Sequence, residues 1–261
     1  MSHDIKRQTH PLADPYLLIA MGVYPGIEAY TKFGTNPTAS DAYEPVWAQS
    51  TAWTKLPAAT TLEIASSATA DDFGSTGATM VLLSGCGADY SYQEEIVVLD
   101  GQTPVLTTNT WLFVNRCLVV AAGSGGTSAG DIYVADDSTD WASGVPSTAA
   151  AIQAKLLAGH AFTQQAIYTV PLGFAAYVTN HWVSAAAGKA VSYQFMNVDN
   201  ENNVTRVGLQ GELLNAHVER TYRPYAQVPE KYTIYTQAKV GTGAGIISAG
   251  FDMILVKNGD V

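Results

Sequence analysis

The sequence is poor in charge, and most of the charge that it carries is negative. Charged residues make up 14% of the chain, well below the usual quarter, and 13 Lys or Arg stand against 23 Asp or Glu. Nucleic-acid grooves and anionic membrane surfaces both select clustered basic side chains. We therefore expect no nucleic-acid partner and no membrane partner. So weakly charged a surface suits a protein that contacts other protein subunits.

Cysteine and long apolar runs are also scarce. The two cysteines, Cys86 and Cys117, each lie in an apolar segment, and we interpret them as buried free thiols. A single disulfide is the alternative if their strands are neighbours. The apolar run Tyr16–Val23 has only eight residues, whereas a membrane span needs about 20. Pro11 and Pro15 interrupt the approach to this run, so we expect no secretory signal.

Motifs that bind phosphate or calcium are incomplete. The loop Gly123–Gly130 is rich in glycine, but Asp131 and a predicted strand follow it instead of the Lys-Ser/Thr and helix of a phosphate-binding loop. We predict a flexible connection there. The acidic loop around Asp136, Asp137 and Asp140 lacks the glycine and the glutamate of a calcium-binding EF-hand. We predict a solvated turn, with a weak cation site as the alternative.

Recognisable catalytic patterns are missing as well. Glu94 and Glu95 are adjacent on a predicted strand, where neighbouring side chains point to opposite faces, so they cannot act as a carboxylate pair. His160, His181 and His217 do not have the spacing of paired metal ligands. We therefore predict a non-enzymatic protein with no catalytic residue, no metal and no cofactor.

Alternation with a period of two dominates the second half of the chain. It runs through Val191–Asn197 and over the whole of Tyr232–Val240. Turn signals such as Asp100-Gly101 recur about every ten residues. We predict an all-β fold, an antiparallel β-sandwich of the jelly-roll type. The segment Ser147–Leu157 is the one plausible helix, and a strand followed by a turn at Gly159 is the alternative.

Two apolar runs do not alternate. Thr79–Leu83 is continuously apolar after its threonine, which predicts a strand buried on both faces. Trp111–Val120 is the most apolar segment, and we predict that it lies centrally in a sheet. The side chains that we expect to be mostly buried are Trp111, Phe113, Val119, Ile167, Tyr177, Tyr193, Phe195, Ile234, Phe251 and Ile254.

Residues 1–57 combine six prolines with many apolar side chains, so they resist regular structure yet need burial. We predict an extended N-terminal arm over 1–57 and a β-sandwich domain over 58–261. Two packed sub-sandwiches split near 145–160 are an alternative within that domain. The arm either wraps its own domain or lies on a neighbouring subunit. In the second case the predicted interface anchors are Tyr16, Leu17, Ile19, Met21, Trp47 and Trp53.

Four segments, in order along the chain, resemble phrases that recur in one protein family. They are EEIVVLDGQTPVLTTNT (94–110), RCLVVAAGSGGTSAGDI (116–132), QAIYTVPLGFAAYV (165–178) and SAGFDMILV (248–256). The family that they resemble is that of virion structural proteins in tailed bacteriophages, especially short-tailed phages of aquatic bacteria. The similarity extends over roughly residues 58–256.

The resemblance implies a non-enzymatic virion protein. The first expectation is a capsid decoration (cement) protein, a homo-oligomer that stabilises the head by contacts with the major capsid protein or other virion proteins. It would be located in the virion after assembly in the host cytoplasm. A neck, tail or baseplate component is the alternative in the same class. A receptor- or glycan-binding module is the rival, with an exposed Trp such as Trp141 or Trp182 in a shallow pocket, and an enzyme such as a depolymerase ranks third.

Overall fold

Antiparallel strands make up almost all of the regular structure. The computed structural model describes residues 14–186, 188–214 and 216–259, with 57% strand and 4% helix. All strand pairs in these ranges are antiparallel. The predicted all-β antiparallel fold is therefore confirmed.

In chain order the elements are α1 (Pro15–Ala20), β1 (Ile27–Ala39), β2 (Glu44–Pro45), β3 (Leu62–Ser66), β4 (Ala78–Cys86), β5 (Tyr92–Val98), β6 (Val105–Leu106), β7 (Phe113–Ala122), β8 (Ile132–Asp136), β9 (Trp141–Ala142), β10 (Val145–Pro146), a 3-10 turn (Ala149–Ala151), β11 (Ile152–Leu156), β12 (Ile167–Thr169), β13 (Phe174–Ala185), β14 (Ala190–Asp199), β15 (Val204–Leu214), β16 (His217–Val228), β17 (Tyr232–Val240) and β18 (Gly245–Lys257).

Eight of these strands form a jelly roll. One sheet has the order β1-β18-β13-β16 and the other has the order β12-β17-β14-β15, with β2 also paired to β17. Numbered from one to eight along the chain, the strands read 1-8-3-6 and 2-7-4-5. This is the order that results when one long hairpin, with strand 1 paired to 8, 2 to 7, 3 to 6 and 4 to 5, rolls up into two facing sheets.

The core of the jelly roll lies between its two sheets. Phe195 of β14 and Phe251 of β18 meet there with ring centroids 5.4 Å apart, and both are buried as predicted. Tyr177 and Ile254 were predicted in this core but lie only half-buried. They face each other in register on β13 and β18, one position away from inward-facing neighbours. A one-residue step along a strand reverses the face, so these two side chains point outward.

A second, smaller sandwich is inserted between β2 and β12. Its sheets have the orders β11-β8-β3-β6 and β5-β4-β7, and we call it the inserted sandwich. Its core includes Trp111, as predicted, together with Leu62, Ile64 and Leu83. Val119, also predicted in the core, is half-buried and packs at its margin.

Two segments of the inserted sandwich, Ser147–Leu157 and Trp111–Val120, test the predictions of local structure. The helix predicted over Ser147–Leu157 is wrong and the alternative of a strand followed by a turn is confirmed, because Ile152–Leu156 pairs with β8 as a strand and the chain turns at Gly159, whose φ is 78°. The central position predicted for Trp111–Val120 is wrong, because β7 is the end strand of the sheet β5-β4-β7. That strand pairs with β4 on one side and exchanges hydrogen bonds with Ala161 and Thr163 on the other.

The predicted extended arm requires a correction. Strand β1 pairs with β18 continuously from Ile27 to Asn36, so it is an integral strand of the jelly roll. Pro37 is accommodated because the register shifts between Asn36 and Ala39, where the ladder does not need its missing N–H. The boundary placed at residue 57 therefore does not separate an arm from a domain. Residues 1–13 of the predicted arm lie outside the described residues.

Buried contacts join the two sandwiches. A third apolar cluster, made of Trp47, Tyr133, Ala135, Ile152 and Ile167, spans the seam between them. Nearby, the buried Lys32 of β1 donates from Nζ to the carbonyl oxygen of Asn115 in β7 at 2.5 Å. Burial lowers the pKa of Lys32 well below its usual value. The Asn115 side chain in turn exchanges hydrogen bonds of 2.9 and 2.8 Å with the main chain of Thr169.

Candidate interaction surface

The N-terminal segment 14–24 begins with a short helix. The carboxylate of Asp14 accepts a hydrogen bond from the main-chain N–H of Tyr16 at 2.9 Å, and Pro15 occupies the first helical position. Gly22, with φ of 69°, follows the end of the helix. The helix has six residues and none of them is buried. The rest of the described chain therefore covers its apolar side chains only in part, since Leu18 and Ile19 are half-buried.

Four of the six predicted interface anchors lie in this segment. Leu17 is 57% exposed and Met21 is 67% exposed, Tyr16 is also exposed, and Ile19 is half-buried. Burying apolar side chains is worth about 25 cal/mol per Å2 of surface removed from water. Binding of a neighbouring protein over Leu17 and Met21 would be favoured by this free energy, and no part of the chain would need to unfold.

One hydrogen bond fixes the segment to the jelly roll. The hydroxyl groups of Tyr16 and Tyr225 are 2.5 Å apart. This hydrogen bond, with a smaller contribution from burial, raises the pKa of Tyr16 to about 12. Tyr16 therefore stays protonated at neutral pH. We call residues 14–24 together with Tyr225 the N-terminal patch.

The patch adjoins long sheet edges. Strands β15 and β16 are the outermost strands of the two jelly-roll sheets, and most of their side chains are exposed. Tyr225 lies on β16. Its partnership with Tyr16 could not be read from the sequence, because the two residues are separated by 209 positions.

Trp47 and Trp53 do not belong to this surface, which corrects their prediction as inter-subunit anchors. Trp47 is fully buried in its own chain, where its indole N–H donates to the carbonyl oxygen of Thr51 at 2.7 Å. Trp53 is half-buried and stacks on Phe113 with ring centroids 6.2 Å apart. Both contribute to the seam between the sandwiches.

His181 is buried, whereas His160 and His217 are exposed in different parts of the molecule. His181 is buried against Phe195, with Nε2 3.0 Å from the hydroxyl of Thr236, and burial lowers its pKa to about 4. His160 is exposed in the inserted sandwich, and His217 is exposed at the start of β16. Within the described ranges, no group of three or more His, Cys, Asp or Glu side chains is placed to hold a metal ion.

The two cysteines are free and buried, as interpreted from the sequence. Their strands are neighbours, but Cys117 lies opposite Leu83 and Cys86 lies opposite Phe113. The disulfide alternative is therefore wrong, because the register keeps the two sulfur atoms apart. Burial raises the pKa of each thiol to about 12.

The paired glutamates point to opposite faces of β5, as predicted. Glu95 accepts hydrogen bonds from the main-chain N–H groups of Thr108 and Asn109 at 2.6 and 2.9 Å. Glu94 instead accepts the hydroxyl of Tyr92 on the solvent side. The pair therefore shapes a loop and does not form a two-carboxylate site.

The acidic loop after β8 is closed by its own hydrogen bonds. Asp136 accepts from the main-chain N–H of Ser138 at 2.8 Å, and Asp137 accepts from the hydroxyl of Thr61. This is turn chemistry.

The glycine-rich loop is organised by Asp71, a residue that no sequence motif marks. The carboxylate of the buried Asp71 accepts main-chain hydrogen bonds from Ala78, Ala129 and Gly130, each at 2.7 or 2.8 Å, and the hydroxyl of Ser66 at 2.5 Å. Four such donors satisfy the charge. The loop is held in place and does not form an open anion-binding cradle.

The sequence-based prediction of no catalytic residue overlooked one motif. Gly126–Gly130 matches the Gly-x-Ser-x-Gly pattern of a hydrolase nucleophile elbow. Ser128 in its centre is buried, however, and its hydroxyl lies 3.2 Å from the main-chain carbonyl oxygens of Leu157 and His160. Strand β8 follows the motif in place of the helix that an elbow requires. The segment therefore does not have the geometry of an elbow.

The tryptophans proposed for a binding pocket are engaged elsewhere. The indole N–H of Trp141 donates to Glu63 at 2.5 Å, and Trp182 packs near His217. A cleft of about 260 Å3 lies instead beside Trp53, with Tyr235 on its other wall.

Comparisons with known proteins found only weak similarities. No protein-family model matches the sequence, and no curated protein matches it. Among solved structures, "Structure of infectious bursal disease virus Gt strain" is similar at 10% identity and a TM-score of 0.24, covering 95% of this chain and 79% of that one. "Crystal Structure of the STIV MCP" is similar at 10% identity and a TM-score of 0.23, covering 87% and 96%. At TM-scores this low, the likenesses establish neither a fold nor a function.

In the part of the chain that the structure describes, no helix has the length and hydropathy needed to cross a membrane.

Proposed function

We propose that this chain is a structural protein of a virus particle and has no enzymatic activity. The observation that carries the proposal is the N-terminal patch, where Leu17 on a helix without buried residues and Met21 directly after that helix are both exposed. Contiguous exposed apolar groups of this kind mark protein contact sites. Two sandwiches joined by buried contacts present the patch, which suits a building block.

The sequence resemblance supplies the virion context for this proposal. Four ordered segments resemble the tailed-phage family, and they fall within β5 to β8, β12 to β13 and β18, so both sandwiches contribute. A jelly roll is compatible with a virion role, but lectins and cupins use the same architecture. The fold alone therefore does not favour a virus over those classes.

The finer role that we propose is capsid decoration. In this role the N-terminal patch docks on the major capsid protein, and the chain strengthens the head by bridging capsid subunits. A neck, tail or baseplate position uses the same patch on a different partner. All of these roles place the chain in the virion.

The test is incorporation into particles in the host that carries the gene. Purified particles are analysed by mass spectrometry for the chain and by electron microscopy for its position. Leu17→Asp/Met21→Asp should reduce incorporation at least about tenfold, since two buried apolar side chains contribute several kcal/mol to docking. The matched control is Ile246→Asp, which changes an equally exposed residue on β18.

The outcomes separate the coarse proposal from the finer one. Density on the head surface supports decoration, whereas density at the neck, tail or baseplate supports the virion role but overturns decoration. Absence of the chain from particles overturns the virion role. Normal incorporation of the double variant shows that the N-terminal patch is not the docking device.

Glycan binding is the second candidate, and the cleft beside Trp53 favours it. Trp53 and Tyr235 supply aromatic walls, while Lys55, Asn200 and Thr233 supply polar groups. Aromatic faces with a few polar groups are typical of small-ligand pockets. Titration with host surface glycans should shift the NMR signals of these residues, and Trp53→Leu should abolish the shifts. Unchanged spectra with host glycans would exclude this candidate.

A further inference from the structure

The sheet β5-β4-β7 of the inserted sandwich has an apolar face that its own chain covers only in part. At the margin of this face, Phe33 of β1 meets Phe162 edge-on, with ring centroids 5.4 Å apart. Its inner face carries Leu83 and Cys117 into the core. On the outer face, Ile96 is 60% exposed and Val98 is 44% exposed, and Leu82 between the neighbouring strands is only half-buried. We call Met80, Leu82, Ile96, Val98, Leu118 and Phe162 the outer face.

The outer face explains a mismatch between the sequence and the single chain. The run Thr79–Leu83 has the composition of a strand buried on both faces. In the structure, Val81 and Leu83 are buried, whereas Met80 and Leu82 remain partly exposed. The second burial that this composition indicates is therefore incomplete within one chain.

Register arranges the outer face in rows across the sheet. Ile96, Leu82 and Leu118 lie directly opposite one another on β5, β4 and β7, and Phe162 pairs beside Leu118. The next row toward the end of β4 is Glu94, Ser84 and Arg116. Ser84 is itself buried in the chain, and the negative Glu94 and the positive Arg116 flank it at the same level.

We propose that the outer face is a homodimer interface, formed with a second copy of this chain across a two-fold axis that runs along β4. Such an axis places β5 of one copy over β7 of the other. Each row of side chains then faces the same row of the second copy. Glu94 of one copy then meets Arg116 of the other twice, while the apolar row packs on its equivalent. This is the self-complementarity that an isologous contact requires. The proposal does not depend on the virion role proposed above.

The positions of Glu94 and Arg116 favour an axis along β4 over an axis across the strands. A two-fold axis across the strands would reverse the rows and bury Glu94 against apolar side chains, which is strongly unfavourable for an unpaired charge. Neither Glu94 nor Arg116 has an ion-pair partner within the described residues. Arg116 is already oriented, because it donates to the carbonyl oxygen of Thr31 at 3.1 Å and stacks 4.6 Å from the ring centre of Tyr30.

The test measures the oligomeric state of the full chain by sedimentation velocity over a concentration series. Wild type should be a dimer, and Ile96→Glu should weaken association by at least about tenfold. The matched control, Val207→Glu, changes a residue of similar exposure on β15 and should remain dimeric. A monomeric wild type overturns the proposal and leaves the outer face to a different partner.

A charge exchange tests the axis itself. Glu94→Arg alone and Arg116→Glu alone should both be monomeric, because like charges then meet at both ends of the contact. A mixture of the two variants should form a heterodimer, since each mutant charge now faces its opposite. A mixture that stays monomeric while both variants are folded overturns the proposed axis.

A crosslink keeps the proposal testable if Arg116→Glu fails to fold. Leu82 lies on the proposed axis, so Leu82→Cys should be linked to its own copy by a short bis-maleimide crosslinker, which can span the roughly 10 Å between two packed sheets. Cys86 and Cys117 are buried and should not interfere. Val207→Cys should stay uncrosslinked. A dimeric Leu82→Cys protein that does not crosslink shows that the copies meet on another surface.

Discussion

The inserted sandwich and the jelly roll differ in how the chain supplies their strands. The inserted sandwich is made from one continuous stretch, from β3 to β11, whereas the jelly roll takes β1 from before the insertion and β12 to β18 from after it. Each pairing of β1 with β18 joins residues more than 200 positions apart. Distant pairings require the closure of long loops and form slowly. We therefore expect the inserted sandwich to be the independent unit and the jelly roll the dependent one.

The two regions also differ in charge. Residues 47–165 contain three Lys or Arg and eleven Asp or Glu, a net charge of −8. The remaining residues contain ten and twelve, a net charge of −2. Most of the net negative charge of the protein thus lies on the smaller sandwich, because this region has few basic residues. The net charge of the insertion favours solubility, while the nearly neutral jelly roll presents the N-terminal patch.

The largest expected effect comes from removing β1. Deleting residues 1–45 takes away a 13-residue strand and the whole of β2, which exceeds the margin of about 5–15 kcal/mol that keeps a domain folded. The jelly roll should unfold and the inserted sandwich should stay folded. Hydrogen exchange with mass spectrometry will show protection retained only in peptides from 56–156. Deleting 1–24 is the control and should leave both regions protected.

Protection of β13 to β18 in the longer deletion would show that β1 is dispensable. Loss of protection in both regions would show that the inserted sandwich depends on the jelly roll through the seam at Trp47 and Lys32. Either result would reverse the expected difference between the two regions.

A matched pair of core truncations compares the two regions directly. Phe195→Ala in the jelly roll and Trp111→Ala in the inserted sandwich should each lower the free energy of unfolding by about 3–5 kcal/mol, the usual range for a buried aromatic. Urea denaturation followed by region-specific hydrogen exchange will assign each loss to its own region. A loss below about 1 kcal/mol for Phe195→Ala would mean that this strand faces the other way.

The sequence predicted some of the features behind these effects and missed others. Alternation through Val191–Asn197 correctly identified the inward face of β14, because burial on one face of a strand has a period of two. The strand β1 was missed because its proline counted against a strand, although Pro37 lies at a register shift where no N–H is needed. The insertion itself is a non-local feature, and no local pattern marks it.

The candidate surface was predicted in the same uneven way. Apolar composition correctly drew attention to Leu17 and Met21, which are exposed. The same composition also selected Trp47, because a side chain that needs burial looks alike whether its own chain or a neighbour covers it. Tyr225, the partner of Tyr16, carried no signal, since a single tyrosine on an edge strand is ordinary.

A pH effect should be confined to the jelly roll. Burial lowers the pKa of His181 to about 4 in the folded chain, from 6.5, so the unfolded state binds the proton more readily. Stability is therefore full above pH 6.5 and falls as the pH drops toward 4, by about 3 kcal/mol at the lower end. Chemical denaturation at several pH values should show this loss in wild type and a flatter profile in His181→Gln.

The control for this pH effect is His160→Gln in the inserted sandwich, which removes an exposed histidine and should leave the profile unchanged. Carboxylates with lowered pKa, such as Asp131 and Asp199, lose their contribution only as the pH falls below about 3.8. An equal loss of protection in both sandwiches between pH 6.5 and 4 would contradict the assignment to His181.

The smallest expected effect concerns salt and separates screening from specific cation binding. Raising the ionic strength from about 0.01 M to about 0.15 M shortens the Debye length from about 30 Å to about 8 Å, which relieves repulsion within the net charge of −8 on residues 47–165. Hydrogen exchange in the inserted sandwich should slow modestly, and the jelly roll should change less.

Calcium chloride at matched ionic strength should do no more than sodium chloride, and EDTA should do nothing, because the acidic loop is closed by hydrogen bonds to Asp136 and Asp137. Extra protection from calcium, centred on this loop and lost in Asp137→Asn, would instead show that the loop binds the cation.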